Sequence, residues 1–173
     1  MNGQGSRSSQ PEPVRVGFRF PKTALAAVML LAACTAAHQP RYADIAAAVP
    51  LLSADRARLY FYRDYELYES LARPYIFLNG RVSAVSEPGG VLYRDVSPGN
   101  YLVAVDSYGV YPHQAKTVAV KGGETYYIKV ESLRTWASGG GDNDYERDTF
   151  VAVLVGPEGA RQEMSDLKFL GSP

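Results

Sequence analysis

The sequence is poor in the side chains on which most catalytic and metal sites depend. Its 173 residues contain one cysteine, Cys34, and two histidines, His38 and His113. A single cysteine excludes an intrachain disulfide, and two histidines so far apart in the sequence cannot supply the usual zinc ligand set. A Ser-His-Asp or Cys-His site also lacks support, since no second catalytic motif accompanies His113. We therefore predict no catalytic residues, no metal and no cofactor.

The sequence has no excess of charge of one sign. Its 18 lysines and arginines balance 18 aspartates and glutamates, and the first 33 residues hold four of the basic side chains and one of the acidic. The remaining chain therefore carries a net charge of about −3. Neither a basic patch for nucleic acid nor a lysine run for anionic lipid is present. We predict that nucleic acid is not a partner.

The apolar run near the N-terminus is too short to cross a bilayer. It extends from Ala24 to Leu31 and follows the basic residues Arg15, Arg19 and Lys22, whereas a membrane-spanning helix needs about 20 apolar residues. A positive flank, a short apolar run and small residues occur in this order in export signals. Residues 1–33 are therefore predicted to be a signal peptide that is cleaved between Ala33 and Cys34.

The segment Leu31-Ala32-Ala33-Cys34 resembles the lipobox of bacterial lipoproteins. This resemblance implies that Cys34 is the lipidation site, with a diacylglyceryl thioether and three acyl chains on the mature end. Each buried methylene contributes about 0.8 kcal/mol, so two chains already anchor stably. Thr35 stands where an aspartate would, in the enteric pattern, retain a lipoprotein at the inner membrane. We expect the chain to be anchored to the outer membrane and to face the periplasm; the alternative is an ordinary secretory signal or an uncleaved helix.

Residues 34–54 are predicted to be a tether between the anchor and a single domain at residues 55–170. They are mostly alanine with scattered polar side chains. The alternative is that Ile45, Val49 and Leu52, which recur at helical spacing, pack on the domain.

From Ala57 onward the sequence indicates an all-β domain, because short runs of Val, Ile, Tyr and Phe alternate with turn residues. Leu59 and Phe61 should face inward, and Tyr60 and Tyr62 outward. Three turns predict hairpins: Asn79-Gly80, Ser97-Pro98-Gly99-Asn100 (type II) and Lys121-Gly122-Gly123-Glu124. The first should join Tyr75–Leu78 to Val82–Val85, the second Gly90–Val96 to Tyr101–Asp106, and the third Ala115–Val120 to Thr125–Ser132.

About seven short strands, the last at Phe150–Val155, predict an antiparallel β-sandwich, with an open barrel as the alternative. Beyond Gly156-Pro157, Ala160, Met164 and Leu167 recur at helical spacing and predict a short C-terminal helix.

The globular part also resembles domain-of-unknown-function family twenty-eight forty-six, a group of bacterial envelope proteins. The resemblance covers about residues 55–170 and includes the ending Glu163-Met164-Ser165-Asp166-Leu167. It rests further on Ala57–Arg63, Ile76–Gly80, Tyr93–Gly99 and Gly123–Val130. It implies a fold like that of transthyretin or carboxypeptidase regulatory domains, and no known activity. The loop Gly139–Asp148 is longer than this resemblance leads us to expect.

Among 13 tyrosines, Tyr60, Tyr62 and Tyr127 fall on predicted outward faces and form a candidate binding surface for a glycan or an envelope protein. The alternative is that tyrosine simply suits half-buried strand positions. The acidic loop Gly139–Asp148 lacks the complete calcium-loop pattern. We predict a non-catalytic binding or structural lipoprotein; the alternative is an envelope hydrolase that uses carboxylates such as Asp95 and Asp106.

Overall fold

The computed structural model describes residues 39–66, 71–107, 113–133 and 149–172. In this part of the chain nine strands form two sheets. Their bounds are β1 Ala57–Arg63, β2 Tyr75–Leu78, β3 Arg81–Val85, β4 Gly90–Val96, β5 Gly99–Val105, β6 Lys116–Val120, β7 Thr125–Ser132, β8 Phe150–Val155 and β9 Lys168–Phe169. Two helices accompany them: α1 at Tyr42–Ile45, continued by a 3-10 turn at Ala46–Ala48, and α2 at Pro157–Met164.

The two sheets pack as a sandwich, which confirms the predicted fold class and the C-terminal helix. One sheet has five strands in the order β8-β7-β1-β4-β9, and the other has four in the order β3-β2-β5-β6. The four-stranded sheet is antiparallel throughout. The five-stranded sheet is mixed, because β1 pairs with β7 and β4 pairs with β9 in parallel.

The core between the sheets follows the predicted alternation of each strand. Leu59 and Phe61 of β1 face inward and are almost completely buried, as are Ile128 and Val130 of β7. The remaining large members of this core come from β4, β8 and the opposite sheet, and they are Leu92, Phe150, Ile76, Leu78, Val103, Val105, Val118 and Val120. Burial of these side chains is the main favourable contribution to folding.

The turn at Asn79-Gly80 forms the predicted hairpin between β2 and β3. Both residues have positive φ, 50° at Asn79 and 77° at Gly80, as a two-residue type I′ turn requires. The pairing continues from Leu78 opposite Arg81 to Tyr75 opposite Val85, with one bulge after Ile76.

The other two predicted hairpins are wrong, because each connection crosses from one sheet to the other. Strand β4 pairs with β1 and β9, whereas β5 pairs with β2 and β6. Likewise β6 pairs with β5, and β7 lies between β1 and β8. The crossing at Lys121–Glu124 is close-packed: a Cβ atom at Gly122 would lie 2.5 Å from the carbonyl oxygen of Ala54. Turn residues therefore mark the reversals but not the strand partners.

The described part of the predicted tether lies against the domain. The backbone N–H of Tyr42 donates to the carbonyl oxygen of Leu167 at 2.8 Å, and that of Phe169 donates to Pro40 at 2.8 Å. The side chains of Tyr42 and Val49 pack on the outer side of the five-stranded sheet. The packing of Val49 agrees with the alternative prediction, in which residues of this segment pack on the domain at helical spacing.

Candidate functional site

The three tyrosines predicted to form a binding surface do lie together, on the outer face of the five-stranded sheet, but they are buried. Tyr60 of β1 is directly opposite Tyr127 of β7, and their rings stack with centroids 5.5 Å apart. The exposed fractions are 4% for Tyr60, 1% for Tyr62 and 5% for Tyr127. Their rings are therefore unavailable to a glycan or protein at the surface of the domain, and this part of the predicted site is corrected.

The physical reason is that the C-terminal segment covers these rings. Ala160 and Met164 of α2 are fully buried against the tyrosines, and Leu167 is nearly so. From the N-terminal segment, Tyr42 contacts Tyr60 edge-on at a centroid distance of 5.5 Å. Burial raises the pKa of Tyr60 well above the ordinary tyrosine value. The outer face is thus a second apolar core, with tyrosine in place of aliphatic residues.

A buried ion pair lies beside this tyrosine cluster on the same face. The guanidinium of Arg58, 5% exposed, donates from Nε and Nη2 to the two carboxylate oxygens of Asp95, both at 2.7 Å. Nη1 donates to the carbonyl oxygen of Pro50 at 2.8 Å, and the guanidinium lies 4.3 Å from the ring centroid of Tyr93. The hydrogen bonds to Asp95 raise the pKa of Arg58. Asp95, a candidate catalytic carboxylate, is therefore an ion-pair partner.

A second charged cluster lies at the other end of β1. Nζ of Lys129 is 2.6 Å from a carboxylate oxygen of Asp64 and 3.0 Å from one of Glu163. The hydroxyl of Tyr62 donates to the same Glu163 oxygen at 2.9 Å. Burial alone would lower the pKa of Lys129, but its hydrogen bonds to the two carboxylates raise it. This cluster joins α2 to the sheet by charge-assisted hydrogen bonds.

The cluster around Lys129 makes the stability of the domain depend on acid pH. Burial acts to raise the pKa of Glu163, but hydrogen bonds from Lys129 and Tyr62 outweigh it and the pKa is lowered. The unfolded carboxyl has a pKa of about 4.3, so this stabilisation is complete above about pH 5 and is lost as the pH falls through the lower folded value. We expect the free energy of unfolding, measured with urea between about pH 7 and pH 3, to fall less steeply with decreasing pH in Glu163→Gln than in wild type. Identical slopes would contradict this role of Glu163.

The remaining predicted residues do not join these clusters. Asp106 is exposed just after β5, in the other sheet from Asp95, and the structure does not bring the two candidate carboxylates into one site. His113 is exposed with φ of 67°. Ala33, Cys34 and the loop 139–148 lie outside the described residues. Within the described ranges, no group of three or more His, Cys, Asp or Glu side chains is placed to hold a metal.

The family model described as "Protein of unknown function (DUF2846)" matches residues 53–141. The chain belongs to the DUF2846 family. Comparison with curated proteins gave no match, and comparison with solved structures gave none either. The matched segment of the DUF2846 domain contains Arg58, Asp95 and Lys129. It ends before β8 and α2, so Glu163 and Met164 lie beyond it, whereas the resemblance in the sequence covers about residues 55–170.

Sequence reasoning missed the two ion-pair clusters of the DUF2846 domain. The alternation that assigns Tyr60, Tyr62 and Tyr127 to outward positions also assigns Arg58 and Lys129 to them, but it does not predict that these positions are covered. One signal could have shown this: the apolar stripe of α2 must pack on some surface, and outward-facing tyrosines offer one.

Two small clefts border the DUF2846 domain's covered face. An apolar cleft of about 180 Å³ is lined by residues that include Ile45, Val49, Tyr93 and Phe169. A polar cleft of about 150 Å³ is lined by Asp64, Glu66, Lys129 and Glu131 among others. Both are smaller than the roughly 300 Å³ at which small-ligand pockets begin. The described helices include none long and apolar enough to span a membrane.

Proposed function

We propose that this DUF2846 protein is a lipid-anchored lipoprotein of the bacterial cell envelope, with a β-sandwich domain that has a binding or structural role. The observation that carries the proposal is Leu31-Ala32-Ala33-Cys34, which directly follows a short apolar run with a basic flank. Only a thiol forms the thioether to diacylglycerol, and Cys34 is the one cysteine of the chain.

The site geometry supports a non-catalytic role. The conspicuous charged groups of the covered face contact one another: Arg58 binds Asp95, and Lys129 binds Asp64 and Glu163. The pair of Lys129 with Glu163 holds α2 on the sheet, and the hydrogen bond from Arg58 to the carbonyl oxygen of Pro50 holds the N-terminal segment there. The bordering clefts are also too small to enclose a typical small ligand.

The length of the chain between the anchor and the domain supports a position close to the membrane. Six residues lead from Cys34 to Pro40, whose carbonyl oxygen accepts a hydrogen bond from Phe169 of β9. An extended chain advances at most about 3.6 Å per residue, so this connection spans no more than roughly 20 Å. An anchored domain would therefore work at the membrane surface. Thr35, which stands where an aspartate would retain a lipoprotein at the inner membrane, supports an anchor in the outer membrane facing the periplasm. We propose an envelope protein or a glycan as the partner there.

The experiment that tests the anchor compares wild type with Cys34→Ser in a bacterium that exports lipoproteins. We expect the full chain to incorporate labelled palmitate and to remain in the membrane fraction after a high-salt wash, because the acyl chains are buried in the bilayer. Cys34→Ser should lose the label completely and accumulate as the uncleaved chain.

The matched control is Thr35→Ser, which introduces a serine one residue further along the chain but keeps the thiol. It should retain the label. Wild-type protein without label, or label that persists in Cys34→Ser, would contradict the proposed anchor.

A further inference from the structure

The outer face of the four-stranded sheet carries no charged side chain. The registers of β2, β3, β5 and β6 assign its outward positions. These positions are occupied by Tyr75, Phe77, Val82, Val85, Asn100, Leu102, Ala104, Thr117 and Ala119. Several of the apolar members are strongly exposed, with 59% of Val82 and 48% of Leu102 accessible to solvent. Exposed, contiguous apolar faces of this kind mark interaction sites.

The two sheets differ in whether other parts of the chain cover their outer faces. The outer face of the five-stranded sheet is covered by α2 and by Tyr42 and Val49 of the N-terminal segment. Among the described residues, no element is packed on the outer face of the four-stranded sheet. Within the described ranges, one outer face of the sandwich is therefore covered and the other is open.

We propose that this face docks on the same face of a second copy of the chain. A face without charges meets its own copy without like-charge repulsion. At one end of the face the outward alternation continues to Asp106 after β5, and also to Arg73 before β2 and Glu87 after β3, which pair with each other. At the other end it continues to Lys121 after β6. Asp106 and Lys121 have no ion-pair partner among the described residues, and both are exposed.

A two-fold axis between the copies makes these two charges complementary. If the axis lies in the interface and perpendicular to the strands, each strand of one copy runs opposite to the strand it covers in the other. With the axis at the level of Leu102, the Asp106 end of one copy lies over the Lys121 end of its partner, twice by symmetry. Face-to-face sheets pack about 10 Å apart, which a lysine and an aspartate side chain together can bridge. Opposite charges at the rim then favour this orientation over one in which the facing strands of the two copies run in the same direction.

The size of the face determines how tightly two copies should bind. Four strands about 4.8 Å apart, each contributing about five residues of 3.3 Å, give a footprint of roughly 19 by 17 Å. This is smaller than the contact area of a standard stable interface. We therefore expect a weak dimer with a dissociation constant in the micromolar range or above, whether or not the chain is anchored to lipid.

The first test introduces a charge into the centre of the face. The full chain is purified from the fraction in which it accumulates, and its self-association is measured by sedimentation velocity over a concentration series. We expect Leu102→Glu to raise the dissociation constant at least about tenfold, because two copies of the new carboxylate would meet near the axis. The matched control is Leu154→Glu in β8 of the other sheet, where the wild-type leucine is 43% exposed; it should leave the dissociation constant unchanged within about twofold.

The second test exchanges the rim charges. Asp106→Lys and Lys121→Asp should each weaken the dimer, and the double variant should restore it, since the pair is then re-formed in reverse. A wild type that is monomeric throughout the concentration series would overturn the proposal. So would a double variant that is as weak as the single ones, or equal weakening by Leu102→Glu and Leu154→Glu.

Discussion

Arg58→Ala should lower the free energy of unfolding by about 3 kcal/mol, which is the lower end of the range for breaking a buried ion pair. The substitution removes both hydrogen bonds to Asp95, the hydrogen bond to the carbonyl oxygen of Pro50 and the contact with the Tyr93 ring. Asp95 would remain on the covered face without its cation. Because 33% of its side chain is accessible to water, part of this cost is relieved, and we place the effect at the lower end. Urea denaturation at pH 7, followed by circular dichroism, measures it.

Arg73→Ala provides the matched control. Arg73 pairs with Glu87, but 60% of its side chain is exposed, and exposed ion pairs contribute about 1 kcal/mol or less. Arg58→Lys should fall between the two, since lysine keeps the charge but cannot make the two parallel hydrogen bonds to Asp95. Equal effects of Arg58→Ala and Arg73→Ala would contradict the structural role given to the buried pair.

Met164→Ala should lower the free energy of unfolding by about 3 kcal/mol, within the range for large-to-small changes in a core. Met164 is fully buried between α2 and the tyrosine cluster, so alanine would leave a cavity under the helix. Met164→Leu, which nearly conserves the volume, should cost less than about 1.5 kcal/mol. Chemical denaturation of the three proteins gives both values.

A second measurement distinguishes loosening of this helix from general destabilisation. Burial raises the pKa values of Tyr60 and Tyr62, so these phenols should ionise well above the pH at which exposed tyrosines do. Loosening of α2 in Met164→Ala should expose part of the buried phenols and lower their pKa values toward 10. Absorbance at alkaline pH under native conditions follows this ionisation. Identical titration curves for wild type and Met164→Ala, together with an unchanged free energy of unfolding, would show that α2 is not the cover of the cluster.

The sequence is sufficient for those parts of the fold that depend on neighbouring residues. Alternation along β1 identifies Leu59 and Phe61 as core, and Asn79-Gly80 specifies a hairpin because both residues accept positive φ. The turn before Gly99 carries equally good turn residues, yet it joins two different sheets. Which strand lies beside β4 depends on residues far away in the sequence, and a local turn signal contains no information about them.

The same limit explains why the sequence predicts the correct face for the tyrosines but not their burial. Period-two alternation assigns Tyr60 and Tyr62 to the outer side of the sheet, but it cannot show that α2, about 100 residues later, covers that side. The ion pairs were missed for a related reason: Lys129 meets Glu163, and Arg58 meets Asp95, only once the strand register and the position of the helix are fixed.

The most direct test of the proposed anchor is the intact mass of the protein isolated from the membrane fraction, compared between wild type and Cys34→Ala. The proposal predicts a wild-type chain that begins at Cys34 and carries the added mass of its acyl groups, and a Cys34→Ala chain without that mass. A wild-type chain that is uncleaved, or that begins at Cys34 without acyl mass, would contradict it.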